Sequence, residues 1–162
     1  MKEILAFLPI AIVYLALKST ISPNIPLPDI TLLIIFHAAH KKGATVGVLF
    51  AFALGYIEDA FTGAVLGSTS FSLIVVYLAV HLTSKRVQFT TTPMRTIGAF
   101  ASSLVKGLII FMVLRTAGLR VGYPLDAFFV AITTAITAPW ILHAFGKLTA
   151  YINPHKFKDE TF

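Results

Sequence analysis

Charge is scarce in this chain. Of its 162 residues, 12% are Asp, Glu, Lys or Arg and 57% are hydrophobic, whereas soluble globular domains carry about 25% charged residues. So few charges cannot cover the surface of a water-soluble globule, which excludes a soluble enzyme and a disordered chain. Cysteine is absent, which excludes a small scaffold held together by disulfides.

Catalytic signatures are absent as well. The chain has no H-E-x-x-H, no G-x-S-x-G, no G-x-x-x-x-G-K-[ST] and no dinucleotide-binding fingerprint. His37 and His40 stand three residues apart, but no cysteine or acid lies at helical spacing from them to complete a metal site. We therefore predict no catalytic residue, no cofactor and no bound metal.

Hydrophobic runs fill most of the sequence. A helix needs roughly 20 residues to cross the hydrocarbon of a bilayer, so this length holds about six crossings and no separate soluble domain. The predicted helices are Ile4–Leu17, Asp29–Ala39, Ala44–Phe61, Leu66–Leu82, Ile97–Leu114 and Asp126–Ile152. We expect an all-α polytopic membrane protein with one integral domain over residues 1–162. The second helix is short, so a re-entrant segment is its alternative.

The basic residues indicate the orientation. With six crossings and a cytoplasmic N-terminus, the cytoplasmic side receives Lys2, Lys41, Lys42, Lys85, Arg86, Arg95, Lys147, Lys156 and Lys158. The outer side receives Lys18, Arg115 and Arg120, as the positive-inside rule requires. A re-entrant second segment would move Lys41 and Lys42 outside. We therefore place both termini in the cytoplasm, and assign the net charge of +6 to contact with membrane lipid and not to nucleic acid.

Small residues, or a short acid, recur at every fourth position from the start of the third predicted helix. The period runs through Gly43, Gly47, Ala51, Gly55, Asp59, Gly63 and Gly67. Residues four apart share a helix face, and in lipid a strip of small residues lets two helices approach closely. Internal packing is the first interpretation of the strip. A binding face for another protein's helix is the alternative.

Three ionisable residues of the third and fifth predicted helices are candidates for buried charge. Asp59 shares the face of the glycine strip, so we predict a buried acid with a structural or functional partner. Glu58 points about 100° away from it and is expected to be solvated at the membrane interface. Lys106 lies near the middle of the fifth helix, where it either extends to the surface or pairs with one of three acids. Those acids are Asp59, Glu58 and Asp126.

The order of these features resembles the rod-shape-determining protein MreD family of bacteria. A proline–acid pair, Pro28–Asp29, opens the second helix. The family pattern G-x3-D-x3-G-x3-G then matches Gly55, Asp59, Gly63 and Gly67. The resemblance covers about residues 28–82, and from the fifth helix onward only the hydrophobic character agrees.

The resemblance implies a non-enzymatic protein of the bacterial inner membrane, in the elongation machinery that directs lateral peptidoglycan synthesis and cell shape. It implies MreC as the main partner and, through MreC, contact with MreB, RodA and the penicillin-binding transpeptidase of RodA. A second copy of the chain is a further candidate partner. The resemblance also implies a bundle similar to the S-components of energy-coupling-factor vitamin transporters, so a solute-binding S-component is the alternative function. Ala6, Ala11 and Ala16 lack the A-x-x-x-A spacing with which S-components dock, which favours the scaffold.

Overall fold

A computed structural model of the chain describes residues 2–21, 26–41, 43–63, 65–84, 91–118 and 125–152, with side chains from residue 7 onward except at position 41. These residues form six α-helices and no strand. The helices are α1 (Lys2–Thr20), α2 (Ile30–Lys41), α3 (Ala44–Thr62), α4 (Ser68–Ser84), α5 (Thr92–Thr116) and α6 (Leu125–Ile152). The predicted all-α class is confirmed for this part of the chain. Among the basic residues used for orientation, Lys42, Lys85, Arg86, Arg120, Lys156 and Lys158 lie outside the described residues.

Contacts between helix ends show that successive helices run in opposite directions. Nδ1 of His81, near the end of α4, lies 3.0 Å from the carbonyl oxygen of Ala39 near the end of α2. At the other end of the bundle, the carboxylate of Asp59 near the end of α3 accepts a hydrogen bond from the N–H of Gly67 just before α4. The ends of α2 and α4 therefore lie at one end of the bundle, called the lower end, and the end of α3 lies at the upper end.

Helices α1 and α6 follow the same alternation. The ring of Phe7, early in α1, packs against Phe145, late in α6, with centroids 5.1 Å apart. Nε2 of His37 on α2 lies 3.2 Å from the hydroxyl of Thr149 on α6. The start of α1 and the end of α6 thus belong to the lower end.

Three helices are long and apolar enough to cross a membrane, namely α3, α5 and α6. The described parts of α1, α2 and α4 contribute shorter apolar stretches, Phe7–Thr20, Ile30–His40 and Ser68–Ser84. Three helices of the described chain therefore have the length and apolar composition of membrane spans. Six crossings stay a prediction.

Helix α2 forms the centre of the bundle. Its residues from Thr31 to Phe36 are buried without interruption, as expected for a helix that is apolar on all sides and surrounded by others. The outer surface is apolar too, with large exposed side chains such as Val13, Leu49 and Leu82. An exposed surface this apolar is typical of a protein that faces lipid or a partner.

Candidate functional site

The candidate site is a group of four charged side chains between four helices, called here the ion cluster: Lys18, Asp29, Glu58 and Lys106. Nζ of Lys106 lies 2.6 Å from Oδ2 of Asp29 and 3.0 Å from Oε2 of Glu58. All three residues are buried. Lys106 on α5 therefore joins the start of α2 to the upper part of α3.

Asp29 also caps α2. Its Oδ1 accepts a hydrogen bond from the N–H of Leu32 at 3.0 Å, which satisfies one of the donors that the first turn of a helix leaves free. The N–H of Asp29 donates to the hydroxyl of Thr134 on α6 at 2.8 Å. The hydroxyl of Tyr14 on α1 donates to the carbonyl oxygen of Pro28. The start of α2 is thus held by α1, α5 and α6.

This start lies well below the upper ends of α5 and α6, the two longest helices of the bundle. Lys106 precedes the end of α5 by ten residues (106 to 116) and Thr134 follows the start of α6 by nine (125 to 134), or about 15 and 14 Å along the helix axes. Helix α2 has 12 residues, which span about 18 Å against about 30 Å of hydrocarbon. Residues 26–29 are irregular, and α2 becomes helical only below the upper ends of α5 and α6.

Lys18 connects the cluster to the upper surface. Its Nζ lies 3.4 Å from Oε1 of Glu58, and its side chain is 27% exposed, against 6% for that of Glu58. The cluster contains two cations and two carboxylates, so it is formally neutral. It reaches the surface through Lys18, at the end of α1.

These charges can be buried because each is paired with a charge of opposite sign. Burial of an isolated ion costs several kcal/mol even after the protein relaxes, and attraction offsets that cost only when the partners are close. Each carboxylate of the cluster has an ammonium group within hydrogen-bonding distance. The cluster therefore clamps α1, α2, α3 and α5 to one another.

Asp59 makes a separate contact at the start of α4. Its carboxylate oxygens accept hydrogen bonds from the N–H groups of Gly67 at 2.8 Å and Thr69 at 3.1 Å, and from the hydroxyl of Ser68 at 3.3 Å. A carboxylate in this position satisfies free donors and meets the positive end of the helix dipole. Asp59, itself buried, thus caps α4 from α3.

The glycine strip of α3 lies against α4. A Cβ atom at Gly47 would fall 1.8 Å from the ring of Tyr77, and one at Gly55 would fall 2.3 Å from Cα of Ser70. Neither position has room for a side chain. Internal packing accounts for both glycines, and this face of α3 is covered by the chain itself.

The other glycines of the period have different surroundings. Gly63 and Gly67 have φ angles of 65° and 96°, in the left-handed region that favours glycine. They shape the turn between α3 and α4. Gly43 precedes α3 as its N-cap, and a Cβ atom there would meet nothing within 4 Å.

The structure corrects the prediction for Glu58. Expected to be solvated, it is 4% exposed and pairs with Lys106. Extension of Lys106 to the surface is also wrong, because Lys106 is buried. Asp59 is buried as predicted, but its partners are the donors at the start of α4 and not a cation. Asp126, the third candidate partner of Lys106, is exposed.

Asp29 is the member of the cluster that the sequence reasoning missed as a partner of Lys106. The sequence predicts only that Asp29, after Pro28, opens the second helix. The short length of the helix that follows Asp29 is the sequence feature that indicates a buried position for this acid. A segment too short to cross the membrane places one of its ends at depth, so an acid at that end belongs with the buried ionisable residues.

The histidines of α2 are engaged in the lower part of the bundle. His37 contacts the hydroxyl of Thr149, and Nδ1 of His40 lies 2.8 Å from the carbonyl oxygen of Phe36. In the part of the chain that the structure describes, no group of three or more His, Cys, Asp or Glu side chains could hold a metal ion.

No family model, curated protein or solved structure matches this chain.

Proposed function

We propose that this chain is a non-enzymatic scaffold of the bacterial inner membrane, which binds MreC and helps the elongation complex to direct lateral peptidoglycan synthesis. One observation carries the proposal. The buried ionisable side chains of the cluster and of Asp59 have their partners within the chain: Asp29 and Glu58 pair with Lys106, and Asp59 caps α4. Charge thus serves to shape the bundle, which leaves recognition to its outer surface and short loops.

The sequence motif that resembles the MreD family is compatible with such a scaffold. Its two acids, Asp29 and Asp59, each hold the start of a helix. Its glycines either let α4 approach α3, as Gly55 does, or form the turn between those helices, as Gly63 and Gly67 do. Each matched position therefore has a structural role, as expected of a motif that defines a shape rather than a reaction.

We further propose six crossings with both termini in the cytoplasm. The alternation of helix directions supports this topology. Helix α2 is short, but it leads from its interior start at Ile30 to the lower end near Ala39. A re-entrant segment would instead return to the upper end, where α1 finishes. Of the described basic residues, Lys147 lies towards the lower end and Lys18 towards the upper end.

Co-purification tests the partner. A tagged copy of the chain, co-expressed with MreC and extracted in mild detergent, should retain MreC in a defined ratio. Gly55→Leu should lose MreC, because a side chain at this position collides with the backbone of α4. Gly43→Leu is the matched control, since its side chain has open space, and should retain MreC. Recovery of the well-folded chain without MreC would contradict the proposal.

A solute-binding function like that of an S-component is the second candidate. A helix that starts at depth beside buried charges is the arrangement at the solute and ion sites of transporters with discontinuous helices. The buried hydroxyl of Thr31, in the first turn of α2, has no hydrogen-bond partner among the described residues. Native mass spectrometry of the purified chain separates the two functions. A small molecule retained by the wild type and lost from Lys106→Met would favour solute binding.

A further inference from the structure

One face of α6, from its middle to its lower end, combines basic and aromatic side chains. Six residues form it, at successive spacings of three, four or one, and are called here the α6 stripe: Ile136, Trp140, His143, Ala144, Lys147 and Tyr151. On a helix they fall within a sector about 100° wide. All six are exposed, and Tyr151 and Trp140 are 87% and 73% exposed.

The stripe changes character along the helix axis. Ile136 and Trp140 lie nearer the middle of α6, whereas Lys147 and Tyr151 lie near its lower end. The opposite face of the same segment is buried through Leu142, Phe145 and Thr149, so the stripe faces away from the bundle. An order from apolar residues to aromatic and basic residues is that of a helix surface crossing from hydrocarbon to headgroups.

We propose that the α6 stripe binds an anionic phospholipid, with the headgroup phosphate at Lys147 and His143 and an acyl chain beside Trp140. Charge complementarity supports this occupant. Asp126 is the one acid in the sequence of α6, and it lies 21 residues before Lys147, about 30 Å away along the helix. Lys147 therefore presents its charge to the headgroup region with no acid of α6 nearby, and a basic residue there attracts anionic lipid.

The spacing fits a single lipid molecule. Seven residues separate Trp140 from Lys147, which is about 10 Å along the axis. A phosphate at Lys147 thus places the acyl chain of the same lipid at the depth of the indole ring. This inference rests on the membrane placement in the proposed function and does not depend on MreC.

The single tryptophan makes the site measurable. Trp140 is the one Trp in the chain, so indole fluorescence reports on this stripe alone. The full chain is reconstituted in phosphatidylcholine vesicles that contain a rising fraction of a lipid with brominated acyl chains. In one series the brominated lipid is phosphatidylglycerol, and in the other it is phosphatidylcholine. Bromine quenches the fluorescence of an indole that it contacts. We expect the brominated phosphatidylglycerol to quench more strongly at equal mole fraction. Lys147→Gln should lower this preference about fivefold.

Arg115→Gln is the matched control, because Arg115 is an exposed cation at the opposite end of the bundle. It should leave the preference unchanged. Equal quenching by the two brominated lipids would overturn the lipid site and leave the membrane placement intact. No quenching by either lipid would instead overturn the membrane placement of α6.

Discussion

Replacement of Lys106 by Met tests the ion cluster directly. Met fills a similar volume without charge, so the main change is electrostatic. The variant leaves Asp29 and Glu58 buried without the ammonium group that lies 2.6 and 3.0 Å from their oxygens. Loss of one partner from a buried pair costs about 3–5 kcal/mol in free energy of unfolding. For a chain of this length, that is a fall of about 6–20 °C in the midpoint of thermal unfolding.

Thermal unfolding in mild detergent, followed by loss of helical circular dichroism, measures this fall. Lys18→Met is the comparison, because its side chain is partly exposed, and an exposed pair contributes about 0–1 kcal/mol. The triple variant Lys106→Met, Asp29→Asn, Glu58→Gln should recover most of the lost stability. It buries no unpaired charge, and Asn still caps α2. A fall for Lys106→Met no larger than that for Lys18→Met would refute the assignment of a buried, mutually dependent cluster.

Three further predictions concern the cap of α4, the packing of α3 on α4, and the topology. Asp59→Ala should lower the free energy of unfolding by about 1–2 kcal/mol, as loss of a helix cap does, measured by the same thermal assay; an unchanged midpoint would show that the cap at α4 contributes nothing. Gly55→Ala should lower the free energy of unfolding by about 1–3 kcal/mol through overpacking against Ser70, whereas Gly43→Ala should leave it nearly unchanged. Equal effects of the two substitutions would contradict the close approach of α3 and α4. In the cysteine-free background, Thr116→Cys should react with an impermeant thiol reagent in intact cells and Gly43→Cys only after permeabilisation; the reverse pattern would invert the topology.

The positions of the helices could be predicted because their signals are local. Helix α3 begins at Ala44 as predicted and ends at Thr62, one residue beyond the predicted end. Helix α5 begins at Thr92, five residues before the predicted start at Ile97. Pro93 lies in its first turn, where the missing N–H of proline removes no helical hydrogen bond. The polar sequence around this proline therefore belongs to the helix.

The roles of the two adjacent acids could not be predicted from the face pattern. That pattern separates inside from outside only for a helix with one buried face. Helix α3 has two: the face with Asp59 meets α4, and the face with Glu58 meets Lys18 of α1 and Lys106 of α5. Neighbouring residues about 100° apart are then both buried. Which cation pairs with which acid depends on how the helices are arranged in space, and sequence spacing does not determine that arrangement.

The interior start of α2 explains where the few buried charges lie. A helix that begins at depth brings free N–H groups to a place where lipid cannot satisfy them. Asp29 satisfies one of them and is favoured there by the helix dipole, but its charge requires a cation at the same depth. Lys106 is that cation, Glu58 shares it, and Lys18 pairs with Glu58 at the partly exposed edge. The cluster therefore follows from the start of α2 at depth. A second helix that began at the membrane surface would need none of these charges.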